Sequence, residues 1–280
     1  MAAKKPLLTL IVLTNNEELH LKRCLNSAKG IAGQVIIVDS GSTDETLAIA
    51  RSAKAEIYHH EFKNQAEQFN WALDNCDIRG EWVLRLDADE YLTPELMREI
   101  PEGVQTVAKG VNGFYMKRRV IFMGRWIRYG GYYPRWFLRI FRKGKGRSEP
   151  REMDEHIVLL EGEASRLESD FVDENLRDLN FFTEKHNGFS SREARSAIAR
   201  DAGEAATGED RKRATRKGFY MRLPLFLRAW WYFIWRFFFR GGFLDGIPGI
   251  IFHFLQGFWY RFLIDAKIYE ARRKKIENRK

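Results

Sequence analysis

Cysteine is nearly absent. Cys24 and Cys76 are the only two in 280 residues, which excludes a disulfide scaffold and fits a reducing compartment. No G-x-G-x-x-G follows the first strand-like segment and no G-x-x-x-x-G-K-[ST] occurs, so dinucleotide redox and Walker-type chemistry lose their usual support. G-x-S-x-G is missing too, and neither cysteine has an evident base partner, which leaves nucleophilic catalysis unsupported. The six histidines show no metal-ligand spacing with the cysteines. There is no internal repeat. No long apolar run exists either: the longest stretch without Asp, Glu, Lys or Arg in the aromatic C-terminal region is Gly246–Tyr260, 15 residues, below the roughly 20 that a spanning helix needs. Near the N-terminus, Leu7 to Leu13 is short, runs into Asn15-Asn16-Glu17-Glu18 and lacks a small-residue cleavage site, so it reads as a strand and not as a signal peptide.

A hydrophobic content of 45% is enough for a real core, and the length suits one large domain, or a domain with an appendage. The net charge of +9 is unevenly spread. Residues 211–280 hold 17 Lys/Arg against 4 Asp/Glu, whereas 1–210 are slightly acidic, with 30 against 34. Of 39 aromatic residues, 18 lie between Phe219 and Phe262. We therefore expect a globular domain over 1–210 and a basic, aromatic helical region over 211–280. Such a tail points to an anionic surface, lipid or nucleic acid.

Within the first hundred residues, strand-like and helix-like segments alternate. Leu7–Leu13, Gln34–Asp39, Glu56–His60 and Trp82–Leu86 read as strands, and Glu17–Ala28 and Asn64–Asn75 as helices between them. Ser42 and Glu45 have capping-box spacing, and Thr93-Pro94 suits a cap followed by the first helical residue. This order predicts βαβ units and an α/β fold with a mostly parallel sheet. Ligands of such sheets bind beyond the carboxyl ends of the strands. Here those ends are Thr14-Asn15-Asn16-Glu17, Asp39-Ser40-Gly41-Ser42-Thr43-Asp44 and Asp87-Ala88-Asp89-Glu90. The D-x-D directly after an apolar strand suits Mg²⁺ or Mn²⁺, which keep waters and take further ligands from phosphates.

The segments LTLIVLTNNEE, IIVDSGSTDET and WVLRLDADEYLTPEL, with GYYPRWFLRIFR, MDEHI and GFLDGIPG further on, resemble a family 2 glycosyltransferase with the GT-A Rossmann-like fold. The likeness is to the bacterial branch that builds lipopolysaccharide core and exopolysaccharide. It implies an inverting, metal-dependent transfer of a hexose from a nucleotide sugar, UDP-hexose above all, to a lipid-linked saccharide. Leu13, Thr14 and Glu17 would line the nucleotide pocket, Asp39 would accept from the nucleobase imide, and Asn70 would lie near the donor. Asp87 would face the ribose or sugar and Asp89 would hold the metal. The family usually reads T-Y-N where this chain has Thr14-Asn15-Asn16, so an aromatic contact at Asn15 is lost. The resemblance puts Glu155 in the general-base position, with Asp154 second.

Eleven Lys/Arg and no Asp/Glu lie between Phe114 and Ser148. With their interleaved aromatics they suit a phosphorylated glycolipid acceptor, contacted by Arg128, Tyr132, Tyr133 and Arg135. Farther along, Ser190–Glu193 opens a charged helix to about Ala206. In the tail, Gly241-Gly242 and Pro248 divide short Arg-flanked helices that would lie in the interface plane with their Arg heads on lipid phosphates. The expected location is peripheral, on the cytoplasmic face of the bacterial inner membrane. A homo-oligomer stays open, a buried helical hairpin or dimer interface being the other use of that tail. A polyprenyl-phosphate sugar transferase is the alternative function. Nucleic-acid binding is disfavoured because the strand-end carboxylates repel it.

Overall fold

The computed structural model describes residues 8–150, 156–201 and 223–277. The chain packs as two units, 1–121 with 133–176, and 122–132 with 177–280. The packing boundary falls at 176/177, whereas the charge boundary falls at 210/211. The two mark different properties, compactness and composition.

In the first unit, β1 (Leu8–Thr14), β2 (Gln34–Asp39), β3 (Glu56–His59) and β4 (Trp82–Asp87) are parallel, in the order β3-β2-β1-β4. The sheet continues through β8 (Trp136–Arg142), β6 (Val111–Phe122), β11 (Glu163–Glu174) and β5 (Glu90–Leu92). Of these later neighbours only β6 and β11 run parallel. The remaining strands are β7 (Arg125–Trp126), β9 (Gly146–Ser148) and β10 (Ile157–Leu159), of which β9 and β10 form an antiparallel ribbon.

Helices α1 (Leu21–Ser27), α2 (Thr46–Ser52), α3 (Gln65–Asn75) and α4 (Pro94–Thr106) connect the early strands. Both faces of the central strands are covered, as parallel sheets require. Leu8, Leu10 and Val12 of β1 pack with Leu21 and Leu25 of α1 and with Leu96 and Ile100 of α4. Ile11, on the other face, joins Phe69 and Ala72 of α3. Thr93 caps α4 as expected, its hydroxyl accepting from the Leu96 N–H at 3.3 Å with Pro94 next in the chain. The capping box expected at Ser42 and Glu45 does not form. Helix α2 starts only at Thr46, whose N–H donates to Asp44 Oδ1 at 2.9 Å, because Ser42 is engaged elsewhere.

In the second unit, α5 (Leu179–Asp201) begins eleven residues before the expected Ser190. Asp178 accepts from the Phe181 N–H at 2.9 Å and supplies the start that the Ser190 pattern seemed to offer. Helical segments then cover 227–239, 242–245 and, without a break, 246–277. Gly241, at φ +67°, ends the first of these. Pro248 lies in the opening turn of the last, where a missing N–H is tolerated, and so does not divide it. Among the described residues no helix is long and apolar enough to cross a membrane.

Candidate active site

Strands β1, β2 and β3 step outward in one direction, and β4 returns to the opposite side of β1. That reversal is a topological switch point, where a crevice opens beyond the strand ends. The register sets Thr14 beside Asp39 and Leu13 beside Asp87. With neighbouring strands about 4.8 Å apart, the three expected strand ends meet at one edge.

Asp39 is 2% exposed and receives four hydrogen bonds. Thr14 Oγ1 donates to Oδ1 at 2.9 Å, the Ser42 hydroxyl donates to the same oxygen, and the Gly41 and Ser42 N–H groups each donate to Oδ2 at 2.8 Å. Gly41 sits at φ +98°, a conformation that needs glycine and that aims its N–H at the carboxylate. Burial pushes the Asp39 carboxyl up, yet the donors from Ser42, Gly41 and Thr14 outweigh it and hold the group below the usual aspartate range. A carboxylate accepts at about four positions, so those of Asp39 are all filled from its own surroundings. Its first role is to order the β2 loop.

That loop is laced to the loop after β1. The Asn16 N–H donates to Ser42 Oγ at 2.8 Å, the Thr43 N–H to Asn16 Oδ1 at 2.8 Å, and the Glu17 N–H to Thr46 Oγ1 at 2.7 Å. Glu17 Oε2 lies 2.6 Å from Nδ1 of the fully buried His20, whose Nε2 accepts from the Leu176 N–H at 2.9 Å. These two contacts assign the imidazole proton to Nδ1 and fix Glu17 from behind. His20 carried no signal in the sequence, where it lies within the stretch Glu17–Ala28 that reads as a helix.

At the β4 end, Asp87 and Asp89 are half-buried, while Ala88 and Glu90 between and beyond them are buried. The turn therefore leaves both aspartates accessible. Asp87 accepts from Gln65 Nε2 and Arg85 Nη2 at 3.3 Å and from Arg139 Nη2 at 3.4 Å. Asp89 accepts from Asn175 Nδ2 at 3.0 Å. Beneath them Arg139 pairs with Glu90, whose other oxygen accepts from the Asp87 N–H at 2.9 Å. Burial, with Arg139 pulling down and Asp87 and Asp173 pushing up, leaves the Glu90 carboxyl raised to about 8.

Arg85 and Arg139 were the decisive omissions. Each interrupts an apolar strand, WVLRLD and WFLRIFR, at a position that faces inward, where a charge needs a partner.

Mg²⁺ or Mn²⁺ commonly takes one or two protein carboxylates and fills the rest of its shell with water and phosphate oxygens. Among the described residues no group of three or more His, Cys, Asp or Glu forms a closed cage. Asp87 and Asp89 fit the open kind. Arginines already compensate Asp87, which leaves Asp89 the more available donor.

Other expected residues are placed differently. Asn70 joins α3 to β9 through both amide atoms, donating to Ser148 O at 2.9 Å and accepting from its N–H at 3.0 Å. Tyr132 is buried at 6% exposure below the Arg236 guanidinium, 4.0 Å from its ring centroid, so it presents no open face to an acceptor. Tyr133 donates to Asp170 Oδ1 at 3.0 Å. The Arg128 guanidinium lies over the Trp126 ring at 5.1 Å, and the Arg135 carbonyl accepts from the Arg118 N–H at 2.9 Å. Glu155 and Asp154 lie outside the described residues. Seven of the eleven cations between Phe114 and Ser148 pair with acids: Lys117 with Glu168, Arg118 with Asp173, Arg119 with Asp170, Arg139 with Glu90, Arg142 with Glu81, Lys145 with Glu161 and Arg147 with Asp74. Four of those acids belong to or adjoin β11 and β5, so a run that is uncompensated along the chain is compensated across the sheet.

Fold and site together define an α/β enzyme whose crevice opens at a switch point lined with carboxylates. The chain belongs to glycosyl transferase family 2, whose model matches residues 9–157. It is similar to an uncharacterized glycosyltransferase of Rickettsia bellii, with 39% identity over 93 residues, 33% of this chain and 31% of that one. It is also similar to the lipopolysaccharide core biosynthesis glycosyltransferase LpsC of Rhizobium meliloti, with 31% identity over 172 residues, 58% of this chain and 60% of the relative. The chain thus spans about a third of the length of the rickettsial relatives. Among solved structures, S. aureus TarS 1–349 has a TM-score of 0.47 at 16% identity, covering 96% of this chain and 91% of that one.

Proposed function

We propose that the protein is an inverting, metal-dependent hexosyltransferase. It moves a hexose from a nucleotide sugar, a UDP-hexose in the first instance, to a lipid-linked saccharide of lipopolysaccharide or exopolysaccharide. The observation that carries this reading is the register that aligns Leu13 and Thr14 with Asp87 and Asp39, with Asp89 on the next turn. The name of the Rhizobium relative supports a lipopolysaccharide-core acceptor.

In this reading Thr14, Glu17 and the ordered β2 loop shape the nucleotide pocket. Asp39 accepts from a nucleobase imide only by giving up one of its present donors. Asp87, held by Arg85 and Arg139, orients the sugar side, and Asp89 ligates Mg²⁺ or Mn²⁺. The bound cation would neutralise the leaving diphosphate. Glu155, with Asp154 as second candidate, takes the proton of the acceptor hydroxyl, and a single base without a covalent nucleophile inverts the anomeric centre. The enzyme works peripherally at the cytoplasmic face of the bacterial inner membrane, residues 1–210 carrying the chemistry and 211–280 the membrane contact.

The test is a thermal-shift panel of nucleotide sugars with and without Mn²⁺. One UDP-hexose stabilises the protein only with metal, and Asp89→Ala removes the gain. No metal-dependent stabilisation by any donor would overturn the proposal. Glu155→Gln keeps donor binding and loses turnover.

A further inference from the structure

A helix in water turns its apolar side chains inward and its charges outward. The segment 227–239 does the reverse. Its exposed positions are 227, 230, 231, 234, 235, 238 and 239, the spacing of one helical face, and every one is Leu, Ile, Trp or Phe. Its two inner arginines on the opposite side are buried and hydrogen-bonded within the unit. Arg228 Nε donates to Asp265 Oδ1 at 2.7 Å, and Arg236 Nε donates to Gly130 O at 2.6 Å. Neither guanidinium is directed at lipid phosphate, contrary to the expectation from sequence.

The same surface continues around the turn. Trp230 meets Phe258 at 4.3 Å and Phe233 meets Phe254 at 6.3 Å, so 227–239 and 246–259 form an antiparallel hairpin. Phe243, Leu244, Ile250 and Phe254 are exposed on it, and Ile247 is 74% exposed. At 1.5 Å per residue the face runs about 20 Å along each helix. Monomeric proteins rarely leave such a contiguous apolar surface in water.

We propose that the exposed face of residues 227–254 embeds in one lipid leaflet and holds there chiefly by apolar insertion, its buried arginines serving the fold. This deepens the membrane-face reading above and rests on it. Two observations select lipid over a second copy of the chain. A protein interface carries about one hydrogen bond per 100–200 Å², yet the seven face positions of 227–239 offer no polar group beyond indole N–H, which suits a headgroup boundary. Residues 211–280 also carry a net charge of +13, which opposes pairing with an identical tail but not docking on phosphates. An apolar face of about 20 Å falls short of the roughly 30 Å hydrocarbon core, so the face lies within one leaflet.

The experiment is flotation of the full chain with phosphatidylcholine vesicles at high salt, together with quenching of tryptophan fluorescence by brominated acyl chains. The expected result is flotation on this neutral lipid with quenching. The double variant Ile234→Glu, Phe238→Glu would lose at least about tenfold in bound fraction, whereas Arg272→Ala with Arg273→Ala would lose little. Flotation confined to anionic vesicles at low salt would overturn the proposal. So would a lipid-free dimer that Phe238→Glu converts to monomers, which assigns the face to a second copy. Because both glutamate sites are exposed, donor-induced thermal shift reports that the variants fold. A failure of flotation leaves that donor readout untouched, so the two proposals fail separately.

Discussion

At the scale of single residues, the chemistry of Asp39 turns on how many donors it already holds. Four hydrogen bonds keep its carboxyl ionised below the range in which an unfolded aspartate takes up a proton. A lowered folded value means stability that is complete above about pH 4 and is lost as the pH falls through that lower value. Asp39→Asn is expected to cost about 1–3 kcal/mol at neutral pH and to flatten the acid limb, measured by urea unfolding at pH 7 and near pH 3. Asp89, with a single amide donor from Asn175, contributes little to the fold by comparison. Asp89→Ala should therefore leave neutral-pH stability within about 0.5 kcal/mol of the parent while abolishing Mn²⁺-dependent donor binding. The sequence pointed to both aspartates but could not rank them. Their donors come from residues 14, 41, 42 and 175, and only folding brings Asn175 next to Asp89.

Among elements, the sheet made of β8, β6 and β11 is laced by charge. Asp170 accepts from Arg119 Nη2 at 2.8 Å and from the Tyr133 hydroxyl at 3.0 Å, so one carboxylate ties β11 to β6 and to the chain entering β8. Asp170→Ala is expected to destabilise the protein by about 2–3 kcal/mol in chemical denaturation, because it removes an acceptor shared by a guanidinium and a phenol. Arg147→Ala, which removes an exposed pair with Asp74 at 2.7 Å, should cost under about 1 kcal/mol in the same measurement. The contrast shows how far pairing across the sheet offsets a run that is basic along the chain. Charge along a strand says nothing of the acids that pairing sets opposite. Helix starts were legible where the cap was local and uncontested, as at Thr93. They were not legible at Ser42, whose hydroxyl is drawn to Asp39 and Asn16 by contacts that no local pattern contains.

At the scale of the whole molecule, two units carry two kinds of burial. The first is a sheet covered on both faces. The second is a helical unit that buries Arg228, Arg236, Asp245 and Asp265. Asp265 is 1% exposed and receives Arg228 together with the Phe226 N–H at 2.8 Å. Arg228→Ala leaves that carboxylate buried without its cation and should cost about 3–5 kcal/mol, read as lost thermal stability of the second unit. Donor binding supplies the complementary measurement on the first unit. A nucleotide sugar with metal at 100 times its Kd should add about 2.7 kcal/mol to its stability.

The order of strands and helices in the first hundred residues, the strand-end carboxylates and the basic aromatic tail were all written in local patterns of apolar and polar residues, which act over a few positions of chain. The family followed from the same motifs. What only the tertiary structure decided is which charges are free. Arg85, Arg139, Arg228 and Arg236 are each buried against an oxygen supplied by another element, which no local pattern names. The cause is the cost of an unpaired charge away from water, a cost settled by partners that lie, for Arg85 and Arg236, as far as 63 and 106 residues away.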